Sequence, residues 1–386
     1  AVIHVTMWTY PWDVIDEGID RVFGIFKNEM GLDGMSISTA YHNCDCLRIH
    51  MPGKKIYSSY DDCIYFQPQI ERYQDTVMKP NVHPMSKERN TLKVISEACD
   101  AHGIDLISWT LAMHNHYLAR QYPECALLGV FGDRYPGSLC PANPHVREFM
   151  RALSTDLDAN YNLARIEYES LNYGGYRLRN NPKIGVELGP VGSYLMSLCF
   201  CEGCSKRAQD AGVDLEALRA RAEKLLLECF ENGSMGGDLD EFKDDPLVQG
   251  FESMRVETVS SLVRELKEAV RTPVSYIYMG GSGMDQAALE AITDRSNALF
   301  YGDDPSKVRK GVKARVSTMA DPDMLIAGLS ASNMASAELM KAILMAAYEG
   351  GARRFSYYVY SMTPRRQFKW IGDAVSAVRQ LDAEAV

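Results

Sequence analysis

The sequence contains no apolar run that approaches the roughly 18 residues of a membrane-spanning helix. Positive charge is also in deficit, since 41 lysine and arginine residues face 51 aspartate and glutamate residues, for a formal net charge of -10. Nucleic acids and anionic membrane surfaces do not attract an acidic protein. The composition therefore predicts neither a nucleic-acid partner nor a membrane partner.

Nucleotide-binding motifs are missing as well. No Gly-x-Gly-x-x-Gly motif follows a predicted strand and no phosphate-loop motif is present, which disfavours a doubly wound nucleotide-binding sheet.

The first residues lack the basic region of a signal peptide and have the pattern of a strand. Ten cysteines among 386 residues do not make a small disulfide scaffold, so we expect free thiols in a reducing, cytoplasmic setting.

Eight segments with the pattern of β-strands alternate with helical segments along the chain. The predicted strands cover residues 2–8, 34–40, 104–110, 165–170, 274–279, 298–301, 324–329 and 354–360. Strict alternation indicates a parallel α/β sheet, and eight units indicate closure into a (β/α)8 TIM barrel. We expect one domain over residues 1–386, with long loops after strands two, three and four and an insertion at about 171–245.

The fourth predicted strand carries three charges on one face. Side chains alternate along a strand, so Arg165, Glu167 and Glu169 point to one side and Ile166 and Tyr168 to the other. A face with three charges cannot pack against an apolar helix layer. We therefore expect these charges to point into a polar, functional space, such as the mouth of a barrel.

Further polar and aromatic residues lie at the predicted strand ends, where barrels of this kind place their active sites. A sugar offers apolar ring faces and a rim of hydroxyl groups, which suits a mixture of aromatic rings, carboxylates, histidines and asparagines. Aromatic residues near strand ends are also common in ordinary cores. The candidate sugar-binding residues are Trp8, His42, Asn43, Trp109, His114, Asn115, Tyr301 and Tyr358.

Two short stretches resemble the superfamily of TIM-barrel glycoside hydrolases. Glu167-Tyr168-Glu169 is similar to the acid-x-Glu pattern of chitinase-like barrels, in which the last glutamate donates a proton and the earlier acid orients it. Tyr301-Gly302-Asp303 is similar to the tyrosine and aspartate on the corresponding strand six of those barrels. The resemblance implies a barrel that acts on a carbohydrate.

Three cysteines within six residues, Cys199, Cys201 and Cys204, have a spacing that can bring thiolates together on one tetrahedral zinc ion. The Cys-x-Cys-x-x-Cys pattern resembles the zinc cluster of family 42 β-galactosidases. That resemblance implies a fourth ligand, at Cys140. We expect either a structural zinc that fixes the long loop after strand four or four free thiols, and we expect no cofactor for the chemistry itself.

Glycoside cleavage needs an acid for the leaving oxygen and a base or nucleophile on the other face. We hypothesise that Glu169 is the acid and that the charge of Glu167 raises its proton affinity. Asp303 would activate water in an inverting reaction, or would help Tyr301 to hold the substrate's own nucleophile. The main retaining clan has a glutamate at the end of strand seven, whereas residues 326–331 contain no acid here, so the pattern does not favour that mechanism.

Three other interpretations stay open. Glu167 and Glu169 could form a structural ion-pair network with Arg165. His42, His114 and His116 with Glu167 could bind a divalent metal, as in a sugar isomerase or epimerase on the same barrel. The barrel could also bind carbohydrate without catalysis. Because deep-loop barrels often complete a pocket with a second subunit, we expect a homo-oligomer.

Overall fold

Eight parallel strands form a closed barrel in the computed structural model, which describes residues 2–176 and 182–384. Each strand pairs with its neighbours in chain order, and the last strand pairs with the first. This confirms the predicted (β/α)8 fold. The strands are β1 His4–Thr9, β2 Gly34–Tyr41, β3 Asp105–Leu111, β4 Arg165–Glu169, β5 Val274–Tyr278, β6 Arg295–Leu299, β7 Leu325–Ser330 and β8 Arg354–Tyr358.

Six of the longer helices follow a residue whose side chain accepts a hydrogen bond from an amide of the first turn. Asn143 and Asp245 each precede a proline and accept hydrogen bonds from two amides of the following helix. The longer helices are Thr91–His102, Pro144–Asn160, Glu202–Asp210, Leu215–Asn232, Pro246–Ala269, Pro305–Val316, Ala337–Glu349 and Arg365–Glu384. The shorter ones are Pro11–Glu17, Ile19–Gly24, Pro84–Glu88, His116–Gln121, Gly189–Leu195, Leu239–Lys243 and Gln286–Glu290. No helix in the described ranges is long and apolar enough to cross a membrane.

The loops after the second, third and fourth strands are long and carry structure of their own. The loop after β2 contains the hairpin Asp45–Leu47 with Ile56–Ser58, and a strand at Cys63–Ile64 that pairs antiparallel to β2. The loop after β3 contains the hairpin Ala126–Leu128 with Arg134–Leu139. These structured loops build the walls of the barrel mouth.

The insertion after β4 packs around its own apolar cluster. Buried residues of its helices, among them Leu195, Leu218 and Leu226, pack with Val248 and Phe251 of the helix Pro246–Ala269. Residues 177–181 of the predicted insertion lie outside the described residues. The insertion therefore rests on the helix that leads into β5, next to the mouth.

One strand differs from the prediction. Strand β6 starts at Arg295 rather than at residue 298, because Ser296 and Asn297 are polar but lie in the barrel wall, where both are buried. Tyr301 therefore lies in the loop after β6 and not on the strand.

Candidate active site

The three charged residues of β4 lie in two different surroundings. Arg165 and Glu167 are buried inside the barrel, with 6% and 0% of their surfaces exposed. Glu169 ends the strand and is partly exposed at the mouth. All three charges therefore point into polar surroundings, but the first two lie in the polar barrel interior and only Glu169 lies at the mouth.

Glu167 accepts hydrogen bonds from four side chains of the barrel interior. The indole of Trp8 and the hydroxyl of Ser36 donate to Oε1 at 2.6 and 2.7 Å. The amide of Asn297 and the guanidinium of Arg165 donate to Oε2 at 2.7 and 3.2 Å. Side chains from β1, β2, β4 and β6 thereby converge on one carboxylate. Glu167 is therefore part of a structural network with Arg165, which is one of the alternatives given above for this residue.

Glu169 lines a pocket of about 220 Å³ whose other walls are aromatic and aliphatic. The indole of Trp109 donates to its Oε2 at 2.6 Å. This pocket brings together five of the predicted site residues with four that the sequence analysis did not select. The predicted ones are Trp8, Trp109, Glu169, Tyr301 and Tyr358, and the additional ones are Tyr41, Ile277, Met279 and Leu299.

Ring contacts hold this aromatic wall together. The ring of Trp109 lies 4.7 Å from that of Tyr41 and 6.3 Å from that of Trp8, measured between centroids. Tyr358 lies 6.0 Å from Trp8 and 5.7 Å from Tyr301. Such ring contacts, together with the hydrogen bonds of the two indoles, position the rings. The wall therefore offers flat apolar surfaces beside a single carboxylate.

The tyrosines of the pocket stay protonated. Burial raises the pKa of Tyr41, Tyr301 and Tyr358 above the ordinary tyrosine value, and nearby Tyr358 or Glu169 adds to the effect. A protonated hydroxyl can donate a hydrogen bond to a ligand oxygen. The pocket is therefore electrically neutral apart from the Glu169 carboxyl group.

The predicted histidines and asparagines lie beside this pocket and are not among the residues that line it. The rings of His42 and His114 stack at 4.7 Å, and Nδ1 of His42 donates to the Asn43 carbonyl at 2.6 Å. The side chain of Asn115 accepts from the Leu118 amide at 2.7 Å and caps a helix. Asn43 lines a separate small cavity on the loop after β2.

Asp62 ties these two loops together and was missed by the sequence analysis. Its carboxylate accepts from the Asn43 amide at 2.7 Å and from the His116 amide, and Nδ1 of His116 lies 3.6 Å away. Burial alone would raise the pKa of Asp62, but the hydrogen bonds from His116 and Asn43 outweigh it and lower that pKa. An aspartate in a long loop gives no sequence signal for this role.

Asp303 and His116 occupy different environments. Asp303 is exposed two residues beyond Tyr301 and does not line the aromatic pocket. His116 is buried against Gly137, where an added Cβ atom would lie 2.5 Å from its Nε2. Within residues 2–176 and 182–384, neither residue belongs to a group of three or more side chains able to hold a metal ion.

The four predicted cysteines do form such a group, away from the aromatic pocket. Cys140, Cys199, Cys201 and Cys204 are buried, and their sulfur atoms all lie within 4.8 Å of one another. The Cys140 sulfur is 3.5 to 3.8 Å from the other three. Four sulfurs on a tetrahedron around zinc, each about 2.3 Å from it, would be about 3.8 Å apart.

Two contacts around the cluster also suit a bound metal. The Leu128 amide donates to the Cys199 sulfur at 3.4 Å, an outer hydrogen bond that orients a metal ligand. Gly203 allows the Cys140 loop to approach, because a Cβ atom there would lie 2.6 Å from the Ala142 carbonyl oxygen. The donor set and its surroundings therefore fit a closed structural zinc site.

No protein-family model matches the chain, and no curated protein sequence is significantly similar to it. Solved structures with similar folds include the glycoside hydrolase domain of PgaB (BpsB) from Bordetella bronchiseptica, which has 11% identity, a TM-score of 0.60 and coverage of 98% of both chains. The catalytic domain of beta-amylase from Paenibacillus polymyxa has 9% identity, a TM-score of 0.56 and coverage of 98% of this chain and 100% of its own.

An alpha-L-fucosidase (isoenzyme 2) from Paenibacillus thiaminolyticus has 13% identity and a TM-score of 0.58. The match covers all of this chain and 50% of that one, so this chain spans about half the length of the fucosidase. At such low identities, these likenesses establish the barrel fold. They agree with the predicted resemblance to barrels of this type.

Proposed function

We propose that this protein is a glycoside hydrolase that cleaves a glycosidic bond by carboxylate acid/base catalysis. The observation that carries the proposal is the Glu169 carboxyl group in the wall of an aromatic pocket at the mouth of the barrel. Solved barrels with the same fold include enzymes whose names describe action on glycosides. A sugar ring in this pocket would face Trp8 and Trp109 and present its glycosidic oxygen to Glu169.

Glu169 acts as the general acid in this proposal. It ends a strand, lies at the mouth and is oriented by Trp109. Glu167 supports it from below, because its hydrogen bond with Trp8 fixes one wall of the pocket. The ion pair with Arg165 offsets part of the negative charge of Glu167, so we assign Glu167 a positioning role in addition to its like-charge effect on Glu169.

The second partner of the reaction is proposed on the β6 side. Tyr301 lines the pocket, and Asp303 follows it by two residues. Asp303 would activate water in an inverting reaction or support Tyr301 in a substrate-assisted one. Asp303 does not reach the pocket in this structure, so its role requires the loop after β6 to move when substrate binds.

The direct test is turnover on a panel of aryl glycosides and oligosaccharides by the wild type and Glu169→Gln. We expect release of sugar by the wild type and, on oligosaccharides, whose leaving oxygen must be protonated, a loss of about 10²- to 10⁴-fold in the variant, which is the usual contribution of a general acid. Near-wild-type turnover of oligosaccharides by Glu169→Gln would contradict the assignment. The anomer of the first product, followed by NMR, then separates inversion from retention.

A metal-dependent sugar isomerase or epimerase is less well supported. In the described part of the chain, the cysteine cluster is the one group of three or more side chains with metal-binding geometry. A chelated sample that regains isomerase activity with an added divalent ion would favour it. Sugar affinity without turnover on any glycoside would instead identify a carbohydrate-binding barrel without catalysis.

We also propose a structural zinc ion held by Cys140, Cys199, Cys201 and Cys204. The ion would fix the segment after β4 against the loop after β3 and would take no part in the chemistry. Elemental analysis after chelator-free purification should find one zinc per chain in the wild type and in Cys229→Ser, and little in Cys201→Ser. A wild type without stoichiometric zinc would contradict the proposal.

A reducing, cytoplasmic location and a homo-oligomeric state complete the proposal. All ten cysteines are unbridged thiols in the structure, which supports a reducing compartment. The oligomeric state stays a prediction that light scattering of the purified protein can test.

A further inference from the structure

A second and larger cavity opens beside the aromatic pocket, between the ends of β4 and β5. Its volume is about 560 Å³. One side is formed by the residues that follow Glu169, from Ser170 to Tyr176. The other side is formed by residues 277–284, and helix Gly189–Leu195 of the insertion contributes Ser193.

The two cavities are neighbours. Ile277 and Met279 line both of them. Glu169 lines the first and its neighbour Ser170 lines the second. The carboxyl group proposed as the general acid therefore lies at the junction, which is where a leaving oxygen must be protonated.

The sizes assign different parts of a substrate to the two cavities. The aromatic pocket, at about 220 Å³, is smaller than the roughly 300–1,000 Å³ that ligand sites usually occupy. It suits one sugar ring. The larger cavity lies within that range and has room for more than one further ring.

The described residues that line the larger cavity combine apolar and neutral polar groups. Among the described residues that form it, none is charged, and the polar groups are hydroxyls, amides and backbone. Gly281 brings its backbone close to Asn172, because a Cβ atom there would lie 2.6 Å from the Asn172 amide nitrogen. Burying an anionic group without a countercharge is costly, whereas neutral hydroxyls can pair with such a lining.

From this geometry we infer that the larger cavity binds the leaving-group side of a neutral oligosaccharide, with at least two sugar units beyond the cleaved bond. This inference rests on the proposed function and names its substrate class. Binding energy from remote sugar units accelerates cleavage when it is realised in the transition state. A monosaccharide with a small aryl leaving group would use only the aromatic pocket.

The test compares an aryl monoglycoside with neutral tri- and tetrasaccharides that carry the same terminal sugar, the sugar being chosen as the best substrate of the aryl panel. We expect the wild type to cleave the tetrasaccharide with a kcat/KM about tenfold or more above that for the aryl glycoside. Ser193→Trp places a large ring in the cavity from an exposed helix position. Ser205→Trp, exposed on helix Glu202–Asp210 and outside the cavity, is its control.

Ser193→Trp should lower kcat/KM for the tetrasaccharide by about tenfold and change the aryl glycoside by less than about twofold, while Ser205→Trp changes neither. An unchanged tetrasaccharide rate in Ser193→Trp overturns the inference. The inference is also overturned if the wild type cleaves a chain with uronic acids on the leaving-group side faster than the neutral tetrasaccharide. It is overturned as well if the wild type cleaves the aryl glycoside but no matching oligosaccharide. If the aryl glycosides are not cleaved either, the proposed hydrolase function has failed, and the two failures are thus distinguishable.

Discussion

Glu167 and Glu169 are two residues apart on one face of one strand, yet the barrel uses them differently. Glu167 is fully buried and accepts hydrogen bonds from four side chains. Glu169 is partly exposed, lines a pocket and has an indole donor. The donors around Glu167 enclose its carboxylate inside the barrel, whereas a carboxylate at the mouth can meet a substrate. The comparison separates a supporting role from a chemical one.

Removing the buried carboxylate should have the largest effect on stability. Glu167→Ala leaves Arg165 buried without its counterion, which typically costs about 3–5 kcal/mol in the free energy of unfolding. Urea denaturation measures this loss. Glu268→Ala, on an exposed position of the helix Pro246–Ala269, should stay within about 0.5 kcal/mol of the wild type. A similarly small loss for Glu167→Ala would contradict the supporting role.

Asp13 is a buried carboxyl group like Glu167, but it has fewer hydrogen-bond donors. It accepts a hydrogen bond from Ser361, and Arg48 lies 3.9 Å from its Oδ1, an atom without a hydrogen-bond partner. Burial raises the pKa of Asp13 to about 7, against the opposing effects of Ser361 and Arg48. The folded state therefore holds this proton more tightly than the unfolded chain.

The stability contributed by protonated Asp13 is fully present below the unfolded pKa of 3.8 and is lost as the pH rises through about 7. Each unit of pKa difference corresponds to about 1.4 kcal/mol. Asp13→Asn removes this dependence, so the variant should gain a few kcal/mol relative to the wild type between pH 4 and pH 8. Urea denaturation at pH 4 and pH 8 measures the gain, with the exposed Asp20→Asn as control. If the free energies of unfolding of Asp13→Asn and the wild type differ by the same amount at both pH values, the prediction is wrong.

Asp62 extends the comparison to the loops that form the mouth. Asp62→Asn keeps the size of the side chain but removes the charge that receives the Asn43 and His116 amides. We expect kcat/KM on an aryl glycoside to fall by about tenfold to hundredfold, because the loops after β2 and β3, which carry His42 and His114, would be misplaced. Its neighbour Asp61→Asn, on the same loop, should have little effect on kcat/KM. A loss of stability with unchanged kinetics would make Asp62 purely structural.

The smallest expected effect is on the stability of Glu169→Gln. The side chain is partly exposed, and glutamine can still accept the Trp109 indole hydrogen bond through its carbonyl oxygen. The free energy of unfolding should therefore stay within about 0.5 kcal/mol of the wild type. A large loss would mean that Glu169 belongs to the same structural network as Glu167.

Strand periodicity and alternation were sufficient to predict the barrel, and position at strand ends was sufficient to predict Trp8, Trp109 and Glu169 in one pocket. The start of β6 was missed because Asn297 is polar, and only the closed barrel shows that it donates to Glu167 from another strand. The burial of Glu167 was missed because its partners Trp8, Ser36 and Asn297 lie on other strands. Each of them is more than a hundred positions away in the sequence.

The long loops set the other limit. Asp62 had no motif to mark it, since its role arises from how the loops after β2 and β3 pack together. The cysteine cluster was the exception, because its short spacing and the resemblance to known zinc clusters were sufficient to predict that Cys140 joins the other three.

The most direct test of the general-acid role of Glu169 is the leaving-group dependence of Glu169→Gln. Turnover is measured on glycosides of one sugar whose leaving groups range from dinitrophenol, which needs no proton, to simple alcohols, which do. The account predicts near-wild-type rates for dinitrophenyl glycosides and losses of about 10²- to 10⁴-fold for alkyl glycosides. Equal losses across the series, or no loss at all, would contradict it.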